Sequence, residues 1–302
     1  MVKTGTGDDG PPVLGVAGIG RMGTPIAGLL SRHFRLGAFD VIPARRDAVT
    51  GSQWHPSLTA LADASDVLVT VLPGPGEVRT CMLETLPALR PGSLWLDLTS
   101  GDPNLTAQLA DEAERRNVAV VSAPMGGSVA EAAAGNLVFY VSGHDDAVER
   151  AAPILETLSG PDGVHRAGTR AEDGQIVKLL ANGLWFANAL AASEAMLIGQ
   201  ALGLGAAGLH KLLRDSAGGS RFLDDHLGRL LDGDYLTTFG IDRIVEELGT
   251  IHSMSRTANV ATPMLDASAR LHRAALERYG PELGELLAVK LLEEQAGRQL
   301  RN

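Results

Sequence analysis

From Val13 to about Arg166, short β-rich runs alternate with helical stretches, and after about Gly168 the strand-like runs stop. "VLGVAG" precedes a helical "RMGTPIAGLLSRH", and "LGAFDV" precedes "PARRDAV". "DVLVTVLP", "SLWLDLTS", "VAVVSAP" and "LVFYVSG" follow, separated by segments rich in Ala, Leu and Glu. Strands and helices in alternation imply a parallel sheet covered by helices on both faces. Beyond "AGTRAED", the runs "FLDDHLGRLL", "IDRIVEELGTIHSM", "MLDASARLHRAALERY" and "ELGELLAVKLLEEQAG" keep helical periodicity to the end. The expected layout is a disordered lead-in over residues 1–12, an α/β domain over 13–168 and an all-helical domain over 169–302.

Composition narrows the function classes. Hydrophobic residues make up 45% of the 302 and charged residues 21%, enough for a sizeable core. Acidic residues outnumber basic ones by 36 to 26, which argues against a nucleic-acid surface. Cys81 is the single cysteine and sits in an apolar helical pattern, so an inert core thiol in a reducing, cytoplasmic setting is expected. The lead-in "MVKTGTGDDGPP" lacks the apolar core of a signal peptide. The eight histidines show no metal-ligand spacing. His210, His226, His252 and His272 are placed on polar helical faces, and no metal is expected.

"VAGIGRMG" puts Gly18, Gly20 and Gly23 in G-x-G-x-x-G spacing, after a strand-like run and at the start of a helix. In that context the first glycine makes the tight turn, the second lets a pyrophosphate approach the backbone, and the third packs helix on strand. The anion rests on amides at the positive end of the helix, here those of Ile19, Arg21 and Met22. In a chain with 36 glycines the bare motif is weak. Asp40, however, ends the next strand-like run, near where an acid takes the ribose hydroxyls of NAD. A carboxylate there would repel a 2′-phosphate, which favours NAD, while Arg45 and Arg46 keep NADP open.

"GQIVKLLAN" begins a long apolar stretch yet carries Lys178 and Asn182, one helical turn apart on one face. The segment is long enough to raise the membrane question, but Asn182, Asn188, Ser193, Glu194 and Gln200 interrupt it. A long buried helix is the expectation. A half-buried lysine exchanges protons readily, because desolvation disfavours its charged form. The bland alternative is a snorkelling lysine beside a buried amide contact.

Together these stretches resemble the β-hydroxyacid dehydrogenase family, which includes 3-hydroxyisobutyrate, tartronate-semialdehyde and 6-phosphogluconate dehydrogenases. The resemblance runs from Val13 to about Gln295. "GVAGIGRMGTPIA" is similar to the family's opening loop, and "VTVLPGPGEV" to the Leu-Pro loop beside the cofactor, which implicates Leu72 and Pro73. "LDLTSGDP" resembles a further cofactor segment, with Thr99 and Ser100. "SAPMGGSVAEAAAGNL" resembles the substrate loop, with Met125, Gly126, Gly127 and Ser128, and "GQIVKLLAN" resembles the catalytic-helix motif.

The resemblance implies a Rossmann-type domain, a long interdomain helix and an all-α C-terminal domain, assembled as a homodimer or homotetramer. It implies hydride transfer between NAD(P) and a small 3-hydroxy acid or its semialdehyde. Lys178 would then be general acid/base and Asn182 its positioning partner.

Several positions depart from the family. The substrate-loop hydroxyl has moved to Ser128, and Ser122 stands where the family usually has Asp. Glu246 replaces a lysine near cofactor and substrate, and is read equally well as a surface acid. Ser220, in "DSAGGSRF", either reaches substrate or caps the next helix. Imine reduction on a similar fold and a non-catalytic dinucleotide-binding protein are the rival readings, and retention of Lys178 and Asn182 counts against both.

Overall fold

The computed structural model describes residues 11–301. The expected lead-in lies outside the described residues up to position 10. The chain divides into two compact units, the first ending at Lys178 and the second beginning at Leu179.

In the first unit the strands are β1 (Val13–Ala17), β2 (Arg35–Phe39), β3 (Gln53–Trp54), β4 (Val67–Thr70) and β5 (Leu94–Asp97). They continue as β6 (Ala119–Ser122), β7 (Met125–Gly126), β8 (Leu137–Gly143) and β9 (Ser159–Gly168). The helices are α1 (Gly23–Leu30), α2 (Leu58–Asp63), α3 (Pro75–Thr85), α4 (Pro103–Glu114), α5 (Val129–Ala134) and α6 (Asp145–Leu158). One sheet runs in the order β3-β2-β1-β4-β5-β6-β8-β7, with β9 paired to β8.

All pairs from β3 to β6 are parallel, as the alternation of elements requires. The expected parallel sheet is present, and β8 adds an antiparallel edge against β6 and β7. Ten residues, 127–136, separate β7 from β8 and include only the six-residue helix α5, too short a connection to recross the sheet, so the chain turns back on itself.

Strand alternation fills both faces. Leu14, Val16, Val67, Val69, Leu94, Leu96 and Val121 pack with α1, α5 and α6. Ala17, Leu68, Trp95 and Val120 point the other way, against α2, α3 and α4. Cys81 is buried in that second layer, where burial pushes its thiol up to about 12, so it is an inert core group.

The helix α7 (Asp173–Ala201) contains the division between the units. In the second unit follow α8 (Ala206–Arg214), α9 (Arg221–Asp225), α10 (Leu227–Leu231), α11 (Ile241–Thr257), α12 (Pro263–Tyr279) and α13 (Leu287–Gln295). From α7, Leu179, Phe186, Leu190 and Leu197 recur at helical spacing and build the second core with α9 to α13. The expected long buried helix is buried along one side only. Leu180, Leu184, Ala191, Ala195 and Ile198 form an exposed apolar stripe along its other side. By length and composition α7 is also the one helix among the described residues able to cross a membrane, and 33% of that window is buried.

His272 likewise departs from its expected polar face. It is 2% exposed, its ring lies 5.5 Å from that of Phe186, and Nδ1 donates to the Ser268 carbonyl at 2.9 Å. His226 packs its ring against Trp185 and Phe222.

Candidate active site

The Gly-rich turn forms at the carboxyl end of β1, the edge where open α/β sheets hold ligands. Gly18 has φ +100°, and a Cβ there would stand 2.2 Å from the Val71 carbonyl oxygen. A Cβ on Gly23 would stand 1.9 Å from the Gly18 oxygen, so neither position admits another residue. Gly20 is different: the nearest atom to a Cβ there is Arg45 Nη1, at 3.9 Å. The backbone around Gly20 is thus open to an approaching group, as a pyrophosphate site requires. Ile19 is buried, Gly20 and Met22 are half-buried and Arg21 is exposed.

Asp40 follows β2 and is 6% exposed. Its Oδ2 accepts from the Ile19 amide and from Arg45 Nη1, both at 2.8 Å, and its Oδ1 accepts from the Ile42 amide at 2.8 Å. The acid therefore ties the Gly-rich turn to the end of β2.

Leu72 and Thr99, from the loops after β4 and β5, meet directly, since the Leu72 amide donates to Thr99 Oγ1 at 3.1 Å. Leu72 also reaches the turn, with Cδ2 3.0 Å from a Cβ position on Gly18. Pro73, exposed, and Ser100, half-buried, flank these residues. Beneath them Asp97, 1% exposed, accepts from Thr70 Oγ1 at 2.7 Å and from the Thr99 amide at 3.1 Å. Burial pushes its carboxyl up to about 6.

The first turn of α7 belongs to the same unit. Gln175 is fully buried: its Oε1 accepts from the Gly101 amide at 2.7 Å, and its Nε2 donates to the Thr99 carbonyl at 2.8 Å and Ser122 Oγ at 3.1 Å. Ser142 Oγ accepts from the Gly174 amide at 2.9 Å and donates to the Ala171 carbonyl at 2.8 Å. Together they fix the helix start against the loops after β5 and β6. Lys178, one turn further on, is half-buried, with Nζ 4.0 Å from the place a Cβ on Gly126 would take. The lysine and the expected substrate loop therefore come together.

Within that loop Met125 and Gly126 form β7, and Gly127 has φ +126°. Ser128 caps α5: its Oγ accepts from the Glu131 amide at 3.3 Å, while its own amide donates to Glu131 Oε2 at 2.7 Å. Its hydroxyl oxygen thus serves the helix as an acceptor.

In the second unit Asn182 Nδ2 donates to Glu247 Oε2 at 2.8 Å. Glu246, the acid singled out from sequence, is exposed and pairs with Arg243 at 2.9 Å. One residue turns a helix by about 100°, so its neighbour faces Asn182 instead. Ser220 caps α9, its Oγ accepting from the Leu223 amide at 3.4 Å. Among the described residues no group of three or more His, Cys, Asp or Glu side chains is arranged to hold a metal ion.

Residues 13–168 match the family model for the NAD binding domain of 6-phosphogluconate dehydrogenase. Residues 173–292 match that for NAD-binding of NADP-dependent 3-hydroxyisobutyrate dehydrogenase. The chain belongs to the β-hydroxyacid dehydrogenase family. It is 28% identical to the NAD-dependent L-serine dehydrogenase of Pseudomonas aeruginosa, over 93% of this chain and 97% of that one. It is 30% identical to the 2-(hydroxymethyl)glutarate dehydrogenase of Eubacterium barkeri, over 83% of this chain and 85% of the relative. A solved structure of Mycobacterium tuberculosis 3-hydroxyisobutyrate dehydrogenase with L-serine superposes with a TM-score of 0.86 at 23% identity, covering 93% and 99% of the two chains.

Membership makes the chain an NAD(P)-dependent oxidoreductase of hydroxy acids. Two residues of this family member escaped the sequence reading. Gln175 sits directly after the motif glycine, and a buried amide there was the available signal. Glu247 was legible only as the second acid of "EEL", and helix phase decides between the two.

Proposed function

We propose that the chain interconverts a small 3-hydroxy acid and its semialdehyde, with Lys178 as proton acceptor and donor and Asn182 as its positioning partner. The supporting observation is the approach of Lys178 Nζ to the Gly126 position, which sets a cation where a substrate hydroxyl would be presented. The open backbone at Gly20, with the Ile19, Leu72 and Thr99 segments around it, suits a dinucleotide, which when bound supplies or accepts the hydride. Lys178 takes the hydroxyl proton during oxidation and returns it during reduction, a role that contributes about 10²–10⁴-fold. Asn182 lies one turn along on the same helical face, and its amide suits a hydrogen bond to the substrate.

The chain is further proposed to act as a homodimer or homotetramer in the cytoplasm, without membrane or nucleic-acid partners. The exposed stripe of α7 supports self-association, since Leu184 at 61% and Ile198 at 62% exposure are costly to leave in water. The buried Cys81 and the acidic balance suit a reducing compartment and a small-molecule partner.

The test follows nicotinamide absorbance with NAD and NADP separately, over short 3-hydroxy acids, semialdehydes, amino-alcohol acids such as serine, and cyclic imines. Turnover of a 3-hydroxy acid or its semialdehyde supports the proposal. Turnover of imines alone, or of nothing despite cofactor binding, contradicts it.

A further inference from the structure

The start of α7 is anchored twice, and to different elements. Gly174 lies against β8: a Cβ there would stand 2.3 Å from the Tyr140 carbonyl oxygen, and its amide donates to Ser142 Oγ at 2.9 Å. Gln175 reaches the other way. Its fully buried side chain accepts from the Gly101 amide at 2.7 Å and donates to the Thr99 carbonyl at 2.8 Å and to Ser122 Oγ at 3.1 Å. Both amide hydrogens are thereby used and the oxygen is turned to Gly101, which fixes how the side chain sits. Thr99 in turn accepts from the Leu72 amide, and Leu72 borders Gly18 of the Gly-rich turn. One buried amide thus joins the loops at the carboxyl edge of the sheet, where such folds hold their ligands, to the turn of α7 that carries Lys178. Gln175 and Lys178 are three residues apart, neighbours on one helical face.

We propose that Gln175 is a positioning residue for proton transfer, which couples loop 99–101 to Lys178 so that dinucleotide binding sets the lysine in place. The Ser142 anchor already secures α7 to β8, so the contacts of Gln175 are not what starts the helix. Their direction distinguishes them, since all three lie at the carboxyl ends of β5 and β6. A buried amide moves with its partners, because leaving any of them unpaired away from water is costly. A helical turn is also stiff over the rise of three residues, about 4.5 Å. A shift of the loop on binding is therefore passed to Lys178. Without Gln175 the loop and the helix are held independently, and the lysine keeps its fold but loses its alignment. The inference rests on the proton-transfer role given to Lys178 and places no contact between Gln175 and substrate or cofactor.

The experiment has a spectroscopic arm and a kinetic arm, both on the full chain. The chain has only four lysines, Lys3, Lys178, Lys211 and Lys290, so ¹³C reductive methylation gives a simple spectrum in which Lys178→Arg identifies the Lys178 signal. In wild type that signal is expected to shift when NAD or NADP is added. In Gln175→Met, which keeps the size of the side chain without its hydrogen bonds, calorimetry should show the dinucleotide still bound while the shift is lost. Gln175→Glu keeps the acceptor for Gly101 and is expected to fall between the two. In the kinetic arm, kcat of Gln175→Met should drop by about tenfold to 10²-fold, the effect of a reacting group moved off its geometry. Leu155→Ala, a truncation in the buried core of the same unit, should lower stability and leave kcat near wild type. A wild-type signal that ignores the dinucleotide, a Gln175→Met signal that responds as wild type does, or a kcat loss matched by Leu155→Ala overturns the proposal. Should no substrate be found, the lysine signal alone decides. Turnover retained in Lys178→Ala sinks the role given to Lys178 and this inference with it, whereas turnover lost there and kept in Gln175→Met sinks this inference alone.

Discussion

Asn182 gives one of its amide hydrogens to Glu247, across 2.8 Å and from α7 to α11. A planar amide held by its nitrogen has its oxygen pointing away from the carboxylate, so in the proposed role this bond would set which end of Asn182 is offered to a substrate. Glu247→Ala removes the bond and lets the amide turn. Its kcat/KM is expected to fall about tenfold or more, the cost of losing a hydrogen bond to a charged group. Steady-state kinetics, with far-ultraviolet circular dichroism to show retained fold, check this. An unchanged kcat/KM would remove Glu247 from the account.

Gln175 offers a stability test. Its side chain satisfies the Gly101 amide, the Thr99 carbonyl and the Ser122 hydroxyl. Gln175→Ala leaves these groups without their partner in a buried place, at a cost of roughly 3 kcal/mol. Denaturant unfolding should show the loss.

Two buried groups give the stability a pH dependence of opposite signs. Asp97 has its carboxyl raised from 3.8 to about 6 by burial, so between these values the folded chain holds a proton that the unfolded chain has released. Stability from this group falls as pH rises through that window, by up to roughly 3 kcal/mol. His272 is lowered from 6.5 to about 4 by burial, so the unfolded chain takes up a proton first. Its contribution is lost as pH falls through that window, by up to roughly 3 kcal/mol. Denaturant unfolding between pH 4 and 7 should show Asp97→Asn and His272→Gln removing these slopes in opposite directions.

The exposed stripe on α7 predicts an assembly. Leu184→Glu combined with Ile198→Glu puts two charges where apolar side chains are 61% and 62% exposed. Wild type should elute with a multi-angle light-scattering mass of two or four chains, and the double variant at one. A wild-type mass of one chain would contradict the assembly.

Much of the cofactor end was legible because its rules are local. Gly18, Gly23 and Asp40 lie at fixed steps from β1 and β2, and backbone sterics alone demand those glycines. The contacts of Gln175 with Gly101 and Ser122 join segments more than 50 residues apart, which no spacing rule reaches. The choice between Glu246 and Glu247 depends on helix phase, and a run of two acids leaves phase undetermined. Burial of α7 was overestimated because a helix apolar on all sides reads the same whether its second face meets its own core or another chain. His272 looked polar beside Arg270 and Arg273, but its position is set by Phe186 and Ser268, two contacts that periodicity does not weigh.

The most direct test of the central claim compares Lys178→Ala with wild type in two assays on the same preparation. Calorimetry reads nicotinamide dinucleotide binding, and absorbance reads turnover of the best substrate found in the panel. The account predicts unchanged cofactor affinity with kcat lowered by about 10²–10⁴-fold. Turnover within a few-fold of wild type would show that Lys178 is not the proton-transfer group.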